Sequence, residues 1–147
     1  MSGRALVVDA NILVRAVLGQ RVRGLIEKYG STTVLFVPET AYNEAKEHIP
    51  VLIRRRGGDP DKALRLLAAL YCWMEPIGSD IYSHFEAHAK SRLAGRDVDD
   101  WPTLASALAL VCPIWTEDTD FFGCGVPTWT SDRVELFLRE QDSSSTE

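Results

Sequence analysis

Short apolar runs alternate along this chain with longer segments in which apolar residues recur at helical spacing. Residues 4–8 and 33–37 contain apolar stretches with little polar alternation, which is typical of strands covered on both faces of a parallel sheet. Further strands are predicted at residues 75–77 and 111–116, and an edge strand at residues 126–130. The pattern therefore favours a sheet whose strands are separated by helices.

Segments with helical periodicity lie between these strands, and glycine, proline or Ser-Asp pairs mark many of their ends. The predicted helices cover residues 10–18, 21–30, 39–48, 51–56, 62–73, 79–93, 100–110 and 133–140. Alternating strands and helices predict an α/β fold, a three-layer α/β/α sandwich with a mostly parallel central sheet. Without repeats or linkers, residues 1–140 are predicted to form one domain, and the polar residues 141–147 a flexible C-terminal tail.

Composition limits the function classes. The 147 residues carry a net charge of −5, whereas a protein that simply coats nucleic acid is usually basic. This balance does not exclude a nuclease, which can concentrate acids in a metal site and keep a local basic strip. No apolar run is long enough to span a membrane and no signal peptide is evident, so we expect a cytoplasmic protein. Three widely spaced cysteines suggest neither a zinc site nor a disulfide framework.

An acidic stretch precedes the helix predicted at residues 100–110. Asp97, Asp99 and Asp100 fall within four consecutive positions, and Pro102 suits the first turn of the helix that follows. Helix capping explains one or two of these acids. It explains a third less well, because neighbouring carboxylates raise each other's pKa unless something such as a bound cation compensates.

Further acids follow the predicted strands. Asp9 comes directly after the first strand, Glu44 lies in the helix after the second, and Asp118 and Asp120 follow the strand at 111–116. The carboxyl ends of parallel strands share one edge of a sheet, where ligands bind in open α/β folds. Mg²⁺ and Mn²⁺ prefer carboxylate oxygens, so the sequence predicts a divalent-metal site at this edge.

Taken singly, each acid has a simpler explanation. Asp9 could only cap the following helix, and the late acids could cap a turn. Glu44 could be a solvated helix residue, and Glu39 and Glu47 compete for its role. The metal hypothesis therefore depends on the acids being brought together.

The clearest basic run is Arg54, Arg55 and Arg56, which precedes two glycines. Cations at a helix end are favoured by the helix dipole, so the run could be a solvated terminus. It could equally contact the phosphate backbone of RNA beside the acidic site. The sequence leaves both interpretations open.

Four motifs occur in order along the chain: VVDANIL from residue 7, PETAYNEA from residue 38, DWPTLASA from residue 100 and WTEDTDF from residue 115. Together they resemble the PIN-domain family of metal-dependent ribonucleases, which includes the toxins of VapBC-type toxin–antitoxin pairs. The resemblance extends from about residue 5 to residue 122. Each motif by itself is weak, but their order and their strand or helix context make the set specific.

This resemblance implies roles for particular residues. The implied metal ligands, which would also be catalytic, are Asp9, Glu44, Asp100 and Asp118. Asp120 would be a supporting or outer ligand, the Thr116 hydroxyl would orient a carboxylate or water, and Asn11 would contact the site from the first turn of its helix. Asp97 and Asp99 lie near enough to share or replace the role of Asp100.

The implied activity is hydrolysis of phosphodiester bonds in single-stranded RNA, with Mg²⁺ or Mn²⁺ as cofactor. RNA would be the substrate, a homodimer the expected assembly and, if the chain is a toxin, a small antitoxin the inhibiting partner. A housekeeping nuclease is the other possibility within this activity. The alternative function is a catalytically weak, PIN-like protein-interaction or regulatory module.

Overall fold

One five-stranded sheet organises the molecule. The computed structural model describes residues 4–145, with side chains described through residue 139. In this part of the chain every strand pairing is parallel, and the strand order is β3-β2-β1-β4-β5. The strands are β1 (Arg4–Val8), β2 (Thr33–Pro38), β3 (Glu75–Ile77), β4 (Ile114–Trp115) and β5 (Thr128–Trp129).

Helices connect these strands. They are α1 (Ala10–Leu18), α2 (Arg21–Tyr29), α3 (Glu39–Arg55), α4 (Pro60–Tyr71), α5 (Ser79–Tyr82), α6 (Glu86–Arg92), α7 (Trp101–Leu110) and α8 (Val134–Ser145). Short 3₁₀ turns lie at Ser83–Phe85, Val98–Asp100 and Thr119–Phe121. Among the described residues, no helix has the length and apolar character needed to cross a bilayer.

Side chains of β1 alternate between two apolar cores, and this produces three layers. Leu6 and Val8 belong to a core formed with α1, α2, α3, α4 and α8. Val7 belongs to a second core, formed with α5, α6 and α7 on the opposite face. Because both faces are covered, β1 needs apolar residues at consecutive positions, as its sequence has. The predicted α/β/α sandwich is confirmed.

Helix α3 is longer than the sequence suggests. The prediction ends one helix at His48 and begins another at Val51, whereas α3 continues through Pro50. Pro50 has no N–H to donate to the preceding turn, which normally breaks a helix. Here Ala45 and Ile49 are fully buried in the core on the α1 side of the sheet, so tertiary packing overrides the local penalty.

The predicted helix over residues 79–93 is interrupted. It divides into α5 and α6, with a 3₁₀ turn between them. The apolar side of this segment is buried on both sides of the 3₁₀ turn, because Tyr82, Ala89 and Leu93 all belong to one core. The sequence thus predicted the extent of the helical segment closely and its continuity wrongly.

The late strands are shorter than predicted. Val111, expected to begin a strand, instead ends α7 in the left-handed conformation with φ 53° and ψ 57°, and it is 88% exposed. The strand predicted at 111–116 is reduced to β4, and the one predicted at 126–130 to β5. The β-branched and aromatic residues around these strands favour strand structure locally, but strand propensity depends on tertiary context, so the predicted strands were too long.

At the C-terminus, α8 begins at Val134 and continues past Glu140, where the predicted helix ends, to Ser145. Residues 146–147 of the predicted tail lie outside the described residues, and the flexibility of 141–147 stays a prediction.

Candidate metal centre

Asp9 lies at the carboxyl end of β1, immediately before α1. Its carboxylate accepts hydrogen bonds from the Ala10 N–H (2.8 Å), the Asn11 side-chain amide (3.0 Å) and the Thr116 hydroxyl (2.7 Å). Burial raises the pKa of Asp9 above its ordinary value, and the charge of Glu44 adds to that rise, while the bonds from Thr116 and Ala10 oppose it. Asp9 therefore caps α1 with one oxygen and faces other acids as well.

Thr116 joins the ends of two neighbouring strands. The register pairs Val8 with Trp115, which sets Asp9 opposite the fully buried Thr116. The Thr116 hydroxyl donates to Asp9 and accepts from the Asp118 N–H at 2.9 Å. Parallel pairing of β1 and β4 thus brings together residues 107 positions apart in the chain.

Asn11 completes this link from the first turn of α1. Its amide nitrogen donates to Asp9 and, at 3.3 Å, to the Thr116 hydroxyl. Its amide oxygen accepts from the Glu117 N–H at 3.1 Å. The side chains of Asn11 and Thr116 therefore both hydrogen-bond the Asp9 carboxylate.

A tight carboxylate cluster lies beside Asp9. Asp100, Asp118 and Asp120 each place one carboxylate oxygen within 4.8 Å of the others, and all three side chains are partly buried. Burial raises the pKa of Asp100 to about 8, with further contributions from the charges of Asp9 and Asp97 and from a hydrogen bond with Asp118. Burial and the neighbouring acids therefore disfavour the ionised form of Asp100.

Helix capping does not account for Asp100. It precedes α7, yet its side chain makes no capping hydrogen bond. Asp97 instead accepts from the Asp99 N–H at 3.1 Å and caps the 3₁₀ turn, and Asp118 accepts from the Asp120 N–H at 2.9 Å. Asp118 therefore caps a turn and also belongs to the carboxylate cluster, whereas Asp100 belongs to the cluster without capping a helix.

The remaining predicted acids differ in how they act on this centre. Glu44 is exposed on α3, but its charge acts on Asp9, so it faces the same region from a third element. Asp97 acts on Asp100 in the same way. Asp99 is exposed and contributes its backbone N–H to Asp97. The structure thus places Asp99 at the margin of the predicted set.

Arg96 makes a contact that the sequence did not predict. Its guanidinium donates to the Asp120 carbonyl (2.7 Å) and to the Phe122 carbonyl (2.6 Å), and so ties the loop before α7 to the loop after β4. Nearby, the Arg92 guanidinium donates to the Cys124 carbonyl at 2.9 Å. No sequence signal marks these contacts, because a carbonyl acceptor can belong to any residue.

The predicted basic residues, Arg54, Arg55 and Arg56, are exposed at the end of α3. Of the three, Arg56 alone lines a groove that also reaches Glu117, next to the acids. The structure thus separates Arg56, which lines this groove, from Arg54 and Arg55, which do not.

The donor set fits a hard divalent cation. Such ions bind carboxylate oxygens at about 2.0–2.6 Å, so two ligands of one ion lie at most about 4–5 Å apart. The oxygens of Asp100, Asp118 and Asp120 satisfy this limit. Asp9 is not part of this mutually close group, but its charge acts on Asp100, so it lies beside the group. The cluster can thus hold a metal ion.

Comparison with solved structures identifies chains with a similar fold. Two of them are VapBC2 from Rickettsia felis bound to a DNA fragment from its promoter and a toxin–antitoxin complex from Klebsiella pneumoniae. The first is 12% identical with a TM-score of 0.67, covering 86% of this chain and 98% of that one. The second is 19% identical with a TM-score of 0.59, covering 86% and 97%.

At these identities the two structures support the fold alone. No curated protein matches the chain. The family model described as "PIN domain" matches residues 7–139, which is most of the chain. By this match and by its fold, the chain belongs to the PIN-domain family, whose members are generally nucleases.

Proposed function

We propose that the protein is a metal-dependent endoribonuclease that hydrolyses phosphodiester bonds in single-stranded RNA, with Mg²⁺ or Mn²⁺ as cofactor. The observation that carries the proposal is the mutual approach, within 4.8 Å, of carboxylate oxygens from Asp100, Asp118 and Asp120. Burial and the neighbouring acids raise the pKa of Asp100 to about 8, and a divalent cation bound among these carboxylates would favour its ionised form.

The proposed metal ligands, which are also the proposed catalytic residues, are Asp9, Glu44, Asp100 and Asp118, with Asp120 as a further ligand. Asn11 and Thr116 are positioning residues, because they hold the Asp9 carboxylate and the Asp118 backbone in place. Asp97 strengthens the negative field at Asp100. Glu44 is exposed on α3, and its charge acts on Asp9, which supports its inclusion in the proposed set.

Held by these carboxylates, a divalent ion would supply a more acidic water and charge stabilisation for the phosphate and the departing oxygen. The chain's own contribution is to fix the carboxylates that hold the ion. Ligation by Asp100 requires its ionised form, so metal occupancy increases as the pH rises toward and beyond the pKa of this carboxyl. Water serves as the nucleophile, so no side-chain nucleophile is needed.

Cleavage of a labelled single-stranded RNA tests this proposal. The wild-type chain is expected to cut in Mn²⁺ or Mg²⁺ and to stop in excess chelator. Asp118→Asn should lower the rate by about 10²-fold or more, as loss of a principal electrostatic group does. The matched control is Asp61→Asn, an exposed acid in the first turn of α4, which should retain full activity.

Cleavage that persists in chelator, or in Asp118→Asn, would overturn the metal-dependent mechanism. If Mn²⁺ raises the melting temperature of the wild type but no RNA is cut, the alternative of a metal-binding interaction module gains support.

We further propose that a small antitoxin inhibits this site, because the similar structures from Rickettsia felis and Klebsiella pneumoniae are toxin–antitoxin systems. The expected contact is an arginine or lysine of the antitoxin inserted among the acids. Co-expression with a short DNA-binding protein encoded beside this chain should yield a stable complex with reduced ribonuclease activity. Light scattering of the isolated chain tests the proposed homodimer.

A further inference from the structure

A groove with a volume of about 630 Å³ adjoins the metal centre. Three arginines from separate segments line it: Arg15 on α1, Arg21 at the start of α2 and Arg56 directly after α3. Glu117 and Asp132 form its acidic wall. A volume of this size lies within the range of about 300–1,000 Å³ that is usual for ligand sites.

The guanidinium groups of this groove are available to a ligand. Arg15, Arg21 and Arg56 are exposed, and none of them donates a side-chain hydrogen bond or forms an ion pair with another residue in the described part of the chain. The acids opposite already accept hydrogen bonds, and the Thr130 hydroxyl, with further contributions from the charges of Arg133 and Arg21, holds the pKa of Asp132 below its ordinary value, so Arg21 faces an anionic side chain. The Glu117 carboxylate accepts from the Ser131 N–H at 2.6 Å, and the Asp132 carboxylate accepts from a neighbouring hydroxyl.

The groove adjoins the acidic centre at Glu117. Glu117 is the residue between Thr116 and Asp118, and its N–H binds the side chain of Asn11. Arg15 follows Asn11 by four positions in α1, so both side chains lie on the same face of that helix. A chain of phosphates that passes the acids can therefore continue directly over the arginines.

We infer that this groove binds the phosphate backbone of the RNA strand next to the bond that is cut. The inference rests on the proposed ribonuclease function and adds the path of the substrate. An acidic centre repels a polyanion, so adjacent phosphates need cations to hold them. The planar guanidinium fork matches phosphate oxygens in two parallel hydrogen bonds. Of the basic run at the end of α3, the geometry selects Arg56 and leaves Arg54 and Arg55 aside.

Fluorescence anisotropy with a labelled single-stranded RNA of random sequence tests the groove. Chelator is included, so that neither cleavage nor metal binding contributes. Arg15→Gln and Arg56→Gln should each weaken binding about tenfold, the loss expected for a charge-assisted contact. Each should also reduce the slope of log affinity against log salt by about 0.7, the value for one phosphate contact of a single strand.

Arg54→Gln is the matched control, because it removes the same charge from the same basic run but not from the groove. It should change affinity less than twofold. Equal losses in Arg54→Gln, Arg15→Gln and Arg56→Gln would show that net charge, not the groove, binds RNA, and would overturn the inference. Tight, arginine-dependent binding of a polyglutamate peptide with no binding of RNA would overturn it in favour of an acidic protein partner.

Cleavage kinetics separate this inference from the proposed function. If both are correct, Arg15→Gln and Arg56→Gln raise KM with little change in kcat, because they remove contacts made equally to substrate and transition state. Asp118→Asn lowers kcat instead. RNA binding that depends on Arg15 and Arg56, without any cleavage, supports the groove and rejects the nuclease. Normal binding by both arginine variants of an active enzyme rejects the groove and leaves the nuclease intact.

Discussion

Replacing Asp100 with asparagine removes the carboxyl whose pKa rises to about 8 through burial and the neighbouring acids. The folded-state pKa exceeds the ordinary value of 3.8, so between those limits the folded chain binds more protons than the unfolded chain. Stability of the metal-free protein should therefore be fully present at low pH and should fall as the pH rises from about 4 to about 8. The asparagine variant lacks this decline, and its amide can still donate a hydrogen bond to Asp118.

The magnitude follows from the same values. Unscreened, the difference between 3.8 and about 8 corresponds to about 6 kcal/mol. Asp100 is partly exposed, and solvent screening reduces this to about 1–2 kcal/mol. For a chain of this length, each kcal/mol shifts the melting temperature by about 2–4 °C. At pH 8 or above, Asp100→Asn should melt about 2–8 °C higher than the wild type in chelator.

Thermal unfolding followed by circular dichroism between pH 5 and 9 measures this difference, with Asp61→Asn as an exposed-acid control. Addition of Mn²⁺ at pH 8 should raise the melting temperature of the wild type and have a much smaller effect on Asp100→Asn, because binding to the native state stabilises it by mass action. Melting curves of Asp100→Asn that follow the wild type at every pH would refute the argument, since they would show that Asp100 ionises without cost.

Two further substitutions test the packing around the centre. Thr116→Val removes the buried hydroxyl that binds Asp9 and the Asp118 N–H. It should lower the free energy of unfolding, measured in urea, by about 2–4 kcal/mol and weaken Mn²⁺ binding. Thr116→Ser keeps the hydroxyl and should retain both the stability and the Mn²⁺ binding. A Val variant as stable as the wild type would contradict this role. Val111→Gly should stabilise the chain by about 1 kcal/mol, because glycine adopts the left-handed conformation without strain. In the interior of α3, Val51→Gly should destabilise by a similar amount, and a lower melting temperature for Val111→Gly would show that no strain is present.

Periodicity of the sequence predicted the layers of this fold because burial on both faces of a parallel sheet demands a recognisable residue pattern. Leu6, Val7 and Val8 are consecutive apolar residues, and the structure sends them alternately into two cores. The strand end at Asp9 follows from the same pattern. Element boundaries were less predictable where packing overrides local preference, as Pro50 within α3 and the left-handed Val111 both show.

The sequence by itself determined the family-level fold and indicated the candidate acids, since both depend on residue type and local order along the chain. Only the tertiary structure decided which acids meet: parallel pairing of β1 with β4 places Asp9 against Thr116, and Arg96 holds the loop of Asp120 beside Asp100. It also separated Arg56, which lines the groove with Arg15, from Arg54. These juxtapositions depend on strand register and helix packing, so residues far apart in the chain carry no local sign of them.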